Sequence, residues 1–288
     1  MSRNLFILAF ATIAASWAAP LIRLCHSDPL VIAAYRMIFA SLILLPVYLS
    51  QRERIVLPRG HERWLVALAG AFLAGHFAVW ITALTLTSVS SATVLVTVQP
   101  LFLTVLAHVI LKERVDKWGY LAIVLALTGA ALISWGDFRL SEGHLVGDLL
   151  ALSGAILAAF YLLIGRTLVG KLGTINYTMP LYATSALLLT VMMFIFGKTH
   201  LPGQTHDYFW FVLLAFVPTL LGHSLYNYSL KHFKAHLVGT MNLGEPIMAS
   251  VWALMLFGES PTLMTVLGAA LIFAAIAFSF GHERKVSP

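Results

Sequence analysis

Ten apolar runs recur along this 288-residue chain, each long enough for a helix to cross a bilayer and each closed by charge, Gly, Pro, Asn or Asp. They lie near residues 5–24, 30–49, 64–86, 91–111, 118–135, 147–166, 176–197, 208–230, 236–257 and 262–280. A spanning helix needs about 20 predominantly apolar residues. Hydrocarbon offers the backbone no partner, so such a run is satisfied as a helix, whose hydrogen bonds close within the segment. The expected fold class is all-α integral membrane, with ten transmembrane helices. The tightest joints are Thr87 to Ser90 and Gly258 to Pro261, where the chain must turn in very few residues. Composition agrees, with 60% of residues hydrophobic and only 10% charged, against about a quarter charged in a soluble domain. The first run follows Ser2-Arg3 and could be mistaken for a signal peptide. It exceeds the roughly 7–15 apolar residues of such a segment, and it is read as helix one. Cys25 is the only cysteine, which excludes an internal disulfide and a thiolate metal site.

Ten helices put both termini on one face, and the basic residues say which. With cytoplasmic termini, that face holds Arg3; Arg52, Arg54, Arg59 and Arg63; Lys112, Arg114 and Lys117; Arg166 and Lys171; Lys231 and Lys234; and Arg284 and Lys285. The other face holds Arg23, Arg139 and Lys198, and Arg36 lies inside the second run. Fourteen against three follows the positive-inside rule. The expectation is a multi-pass protein of a bacterial-type inner (plasma) membrane with both ends in the cytoplasm. The net charge of +6 expresses this loop bias, and nothing points to nucleic acid.

The chain repeats itself. Gln99-Pro100 followed by Glu113 matches Glu245-Pro246 followed by Glu259, at a constant offset of 146 residues. At that offset Trp80 falls on Tyr226, Leu84 on Leu230, Val105 on Val251 and Ala107 on Ala253. Five helices per repeat is an odd number, so the second repeat, 137–288, enters the membrane in the opposite sense to the first, 1–136. Charge agrees, since Glu113 sits in a basic loop and Glu259 in a loop with no Lys or Arg. Inverted repeats are the architecture of many secondary carriers, whose halves exchange conformations around a midplane site. Channels use them too.

These residues resemble the drug/metabolite transporter superfamily, EamA type. The likeness rests on the duplicated segments 91–133 and 236–279, each with small residues entering a helix, a mid-helix Pro, a Glu at its far end and a Gly-bearing helix after it. Ala33-Ala34-Tyr35-Arg36 entering run two fits the same pattern, and the likeness covers essentially the whole chain. The resemblance implies a ten-helix basket whose cavity is lined by helices three, four, eight and nine with parts of one and six. It also implies export of amino acids, dipeptide-like metabolites, nucleobases or drugs, relatives moving nucleotide sugars. Size and aromatic content are similar to the YddG-type amino-acid exporters. The pattern departs at Gln99, which stands where the second half has Glu245.

Proline inside a spanning helix cannot donate to the carbonyl four residues back. Pro100 would free the carbonyl of Val96 and Pro246 that of Asn242, and a freed carbonyl at membrane depth is tolerated only against protein or a wet cavity. The alternative is a pair of packing kinks. Glu245 is the deepest acid in the chain, and intramembrane carboxylates are costly and usually functional. It is a candidate for proton coupling, for holding a substrate ammonium, or for a structural role beside a cation. Arg36 could partner it or grip a substrate carboxylate through its fork of donors. Its place near the start of helix two favours snorkelling to the outer interface.

Helices three and eight carry polar and aromatic stripes. His76 and Trp80 share one face, as do His223, Tyr226 and Asn227, and Asn242 lies three residues before Glu245. Trp17 and Tyr161 join from helices one and six. With Gln99 these residues form the candidate substrate-binding set, although any single Trp or Tyr could equally serve packing or an interfacial belt. His232 and His236 have metal-pair spacing but sit beside Lys231 and Lys234, where a headgroup-facing turn accounts for both. Ala67, Ala71 and Gly75 form a small-residue ridge for close helix packing. No metal or cofactor is expected.

The expected activity is secondary transport that exports small metabolites by alternating access, amino acids with aromatic or other apolar side chains foremost. An efflux carrier for drugs, nucleobases or other metabolites is the alternative. A pore would line its path with repeated groups, and the Gln99/Glu245 asymmetry opposes that. An intramembrane enzyme would need an acid pair or a nucleophile and base, and the chain has one deep carboxylate. The expected partners are the lipid bilayer and a small-molecule substrate, in a monomer or weak homo-oligomer.

Overall fold

The computed structural model describes residues 2–51, 55–87, 89–113, 116–135, 145–198, 201–258 and 263–286. Among them helices occupy every apolar run. In chain order these are α1 (Ser2–Ala15), α2 (Ala18–Arg23), α3 (Pro29–Ser50), α4 (His61–Leu86), α5 (Val89–Val96), α6 (Gln99–Leu111) and α7 (Lys117–Trp135). Then follow α8 (Leu145–Leu172), α9 (Thr174–Ile195), α10 (Asp207–Leu214), a π-helical segment (Ala215–His223), α11 (Ser224–Ser229), α12 (Ala235–Asn242), α13 (Glu245–Phe257) and α14 (Leu263–Val286). Among the described residues six helical stretches are long and apolar enough to cross a membrane: Arg3–Arg23, Pro29–Ser50, His61–Leu86, Leu145–Leu172, Thr174–Ile195 and Asp207–Ser229. The protein is an all-helical integral membrane protein. The repeat boundary at 136/137, Arg52, Arg54, Arg114, Arg139, Glu259 and Pro261 lie outside the described residues.

Three runs that read as single helices are interrupted. The first breaks between α1 and α2 at Ser16-Trp17, the fourth between α5 and α6 at Thr97-Val98, and the ninth between α12 and α13 at Leu243-Gly244. Apolar length does not register such breaks, because the residues that bend the backbone are as apolar as those that continue it. The causes are local. Pro20, Pro100 and Pro246 each lack the N–H that would carry the helical ladder across the break, and tighter i to i−3 bonds take over, Val98 N to Leu95 O at 3.4 Å and Gly244 N to Met241 O at 3.0 Å. In the eighth run Pro218 is absorbed differently, by widening nine residues into π geometry. There the Thr219 hydroxyl donates to the carbonyl of Leu214 at 2.8 Å.

Two of the three interrupted runs, the fourth and the ninth, meet. A methyl group on Gly239 of α12 would lie 3.0 Å from Pro100 Cβ, and one on Gly222 would lie 3.0 Å from the Ala15 backbone where α1 breaks. Absence of a side chain at these two positions therefore lets α12 approach the start of α6 closely, and the π segment approach the end of α1. Of the small residues Ala67, Ala71 and Gly75 in α4, Gly75 faces Leu157 of α8.

Polar clips tie the ends of the bundle. Asp207, wholly buried, accepts from the backbone N–H of His26 and from the Ser27 hydroxyl, joining the turn before α3 to the start of α10. Elsewhere Lys112 turns left-handed (φ 56°) to close α6. Glu113 then accepts from Arg166 Nε at 2.6 Å and from the Ala235 N–H at 3.2 Å, while Arg166 also donates to the Leu230 carbonyl. This pair binds the end of α6 to α8 and to the turn that opens α12.

Candidate functional site

Beside the α12–α13 break, side chains from α1, α3, α4, α8, α9, the π segment, α11 and α13 form a connected polar and aromatic cluster. The Tyr226 hydroxyl donates to Glu245 Oε1 at 2.9 Å and lies 3.1 Å from Thr12 Oγ1. The Tyr161 hydroxyl shares a 2.8 Å hydrogen bond with His223 Nδ1. His76 Nδ1 stands 2.9 Å from the Gly154 carbonyl, and because a carbonyl only accepts, Nδ1 carries a proton, which in the neutral ring leaves Nε2 as acceptor. The rings interlock. His76 stacks parallel to Trp80 at 6.0 Å, and Phe77 meets His223 edge-on at 5.4 Å.

Arg36 is at the heart of this arrangement, which corrects the snorkelling expectation. It is the eighth residue of α3, more than 10 Å along the helix at about 1.5 Å per residue, and it turns inward to become fully buried. Its Nε donates to the Thr219 hydroxyl at 2.7 Å, and its guanidinium lies over the Phe77 ring at 4.1 Å. The two terminal nitrogens have no acceptor from the chain among the described residues. No ion pair forms between Arg36 and Glu245, which takes its hydrogen bond from Tyr226 instead. Tyr182 and Ser224, 2.9 Å apart, complete this side.

The sequence-derived set is thus brought together in part. His76, Trp80, Tyr161, His223, Tyr226 and Glu245 share the cluster, and Asn227, fully buried, donates to the His223 carbonyl at 2.8 Å. Trp17 lies at the α1–α2 break, stacked 4.3 Å from Trp252 of α13. Gln99 is buried at the start of α6, its amide nitrogen without a partner from the chain among the described residues. Asn242, half-buried at the end of α12, takes no part in these hydrogen bonds. His236 is buried rather than headgroup-facing, since α12 turns it into the bundle, while His232 is exposed as expected. No cluster of three or more metal-ligating side chains exists among the described residues. Thr12, Phe77, Tyr182, Thr219 and Trp252 were not singled out from sequence. Thr178, Tyr182 and Ser185 fall at i, i+4 and i+7 on α9, a stripe that could have flagged one of them.

A cleft of about 220 Å³ opens between α2, α3 and α4, lined in part by Ile22, Arg23, Cys25, Ile32, Ile81 and Thr85. None of the sequence-derived site residues lines it.

The EamA-like transporter family matches this chain twice, at residues 4–135 and 145–281. The chain belongs to that family. It is 26% identical to mouse Solute carrier family 35 member G1 over 84% of this chain and 68% of the relative. It is 28% identical to an uncharacterized transporter of Archaeoglobus fulgidus, over 90% and 89% of the two chains. A crystal structure 17% identical in sequence superposes with a TM-score of 0.84 over the whole of both chains, which fixes the fold alone. The protein is therefore a multi-pass membrane transporter of the drug/metabolite superfamily, a class that is not enzymatic.

Proposed function

We propose that this EamA-type transporter is a secondary carrier of ten spans in two inverted five-helix repeats, with both termini cytoplasmic. It exports small metabolites by alternating access, and its leading substrates are amino acids with aromatic or other apolar side chains, as in YddG-type exporters. The observation that carries this reading is one buried cluster holding a cation, Arg36, and an acid, Glu245, unpaired with each other and walled by Trp80, Phe77, Tyr161 and Tyr226. A zwitterion with an apolar side chain presents the complementary pattern: two opposite charges and a ring or alkyl group to bury. Helix breaks at matched offsets, each beside a proline, are of the kind that carriers place at a midplane site.

Purified protein in proteoliposomes tests it. The expected result is saturable counterflow of phenylalanine, tryptophan or leucine; flux linear in concentration would mean a pore, and chemical change of the solute an enzyme. Cys25 replaced by Ser gives a thiol-free background for topology. Single cysteines placed in the 112–117 turn and at Gly258 should label from opposite faces, and labelling from one face would overturn the inverted repeat.

A further inference from the structure

We infer that the terminal nitrogens of Arg36 are the docking point for the carboxylate of the transported solute, which makes this residue the determinant of acid over amide or amine. The inference rests on the carrier reading above. A guanidinium is charged at every accessible pH and offers its donors in a fixed fork that matches a carboxylate bidentately. In Arg36 the fork is split. Nε is held by the Thr219 hydroxyl at 2.7 Å, which fixes the plane, and Phe77 lies under that plane at 4.1 Å. The outer pair of nitrogens, fully buried, has no acceptor from the chain among the described residues.

Alternatives within the cluster are few. The surrounding hydroxyls of Tyr161 and Ser224 are engaged with His223 and Tyr182. Glu245 takes its hydrogen bond from Tyr226 instead of from Arg36. A buried charge whose donors have been oriented but not used is costly for stability alone, and in membrane segments such residues face an interior path. The π segment supplies the orientation: Thr219 donates five residues back to Leu214, leaving its oxygen to accept from Arg36. The widened turn thereby aims the cation.

The test is counterflow in proteoliposomes with four solutes that share a phenyl group: phenylalanine, phenylalaninamide, phenethylamine and 3-phenylpropionate. Exchange of the carboxylate-bearing solutes with at least tenfold preference over the amide and the amine supports the assignment. Exchange of phenylpropionate but not phenylalanine keeps Arg36 as the carboxylate dock while overturning the amino-acid reading. Equal exchange of the amide overturns the assignment and leaves the carrier intact. Uptake of no carboxylate-bearing solute overturns both. In Arg36→Gln and Arg36→Lys, the acid's KM should rise at least tenfold and the ratio of acid to amide should fall toward one. A purely structural arginine would instead depress all solutes equally, leaving that ratio unchanged.

Discussion

The two interrupted helices share a backbone and differ in chemistry. Both break two residues before a polar-Pro pair, at Gln99-Pro100 and at Glu245-Pro246, and both resume with a hydroxyl folded back on the proline carbonyl. Thr104 donates to Pro100 O at 2.7 Å and Ser250 to Pro246 O at 2.9 Å, which extends the 146-residue offset to a pair of hydrogen bonds. The partners then diverge. Glu245 is met by Tyr226, and Trp252 reaches back to the α1 break through Ser16 at 2.8 Å and the Trp17 stack. The corresponding residues of the first helix are Gln99, with an amide nitrogen that has no partner among the described residues, and Leu106, whose side chain has no polar atom. The proline break recurs in both segments that the family matches, while the polar groups beside it differ.

The largest expected effect separates those polar groups. Glu245→Gln should lower flux about 10- to 100-fold, since hydrogen bonds to a charged group are worth about 1.5–3 kcal/mol, and should abolish any response to an imposed pH gradient. Gln99→Leu, which removes no partner among the described residues, should keep flux within about threefold, because dropping an unused polar group costs little. Equal losses in the two variants, measured by counterflow on protein of matched yield, would break the comparison.

Next come the aromatic walls. Trp80→Ala and Tyr226→Ala should each reduce flux about tenfold while leaving monodisperse protein, because large rings dominate the burial of an apolar solute. Tyr226→Phe keeps the ring and loses the donor to Glu245, so it should reproduce part of the Glu245→Gln defect and little of the wall defect. If both alanine variants transport normally, the site lies elsewhere, and the cleft beside Cys25 becomes the next place to look.

Much of this was legible from residue types. Apolar runs located the helices because hydrocarbon imposes length, and the paired prolines marked two of the breaks because a missing N–H is written in the sequence. The α1–α2 break carries a weaker signal, since Pro20 has no proline at the matching offset. The inward placement of Arg36 is not legible in the sequence, because which way a helix face points is set by long-range packing, here against Thr219 and Phe77. Thr219 itself carries no local signal. Its role comes from a π turn whose register only the folded bundle fixes.

The contact between the breaks offers a stability test of intermediate size. Gly239→Ala places a methyl group 3.0 Å from Pro100 Cβ, and overpacking of this kind costs about 1–3 kcal/mol against a gain of up to about 1 kcal/mol in helix propensity. The net should be a lowered Tm in detergent. A raised Tm would mean that α6 and α12 yield to one another, and that the two breaks are less firmly apposed than their spacing implies.

The smallest effect bears on what the halves hold in common. Thr104→Val and Ser250→Ala each remove a hydroxyl whose bond to the proline carbonyl competes with the helical ladder, and such back-bonding slightly destabilises and bends a helix. Each change should therefore move Tm by little, with both shifts of the same sign, because the bent restart after proline is the feature common to α6 and α13. Thr104 is fully buried and Ser250 only half so, which is why valine, close in shape to threonine, is used at the first site. Shifts of opposite sign would show that the restarts only look alike, one relaxed and the other held bent by its surroundings, and specialisation would then extend from the polar groups into the hinge itself.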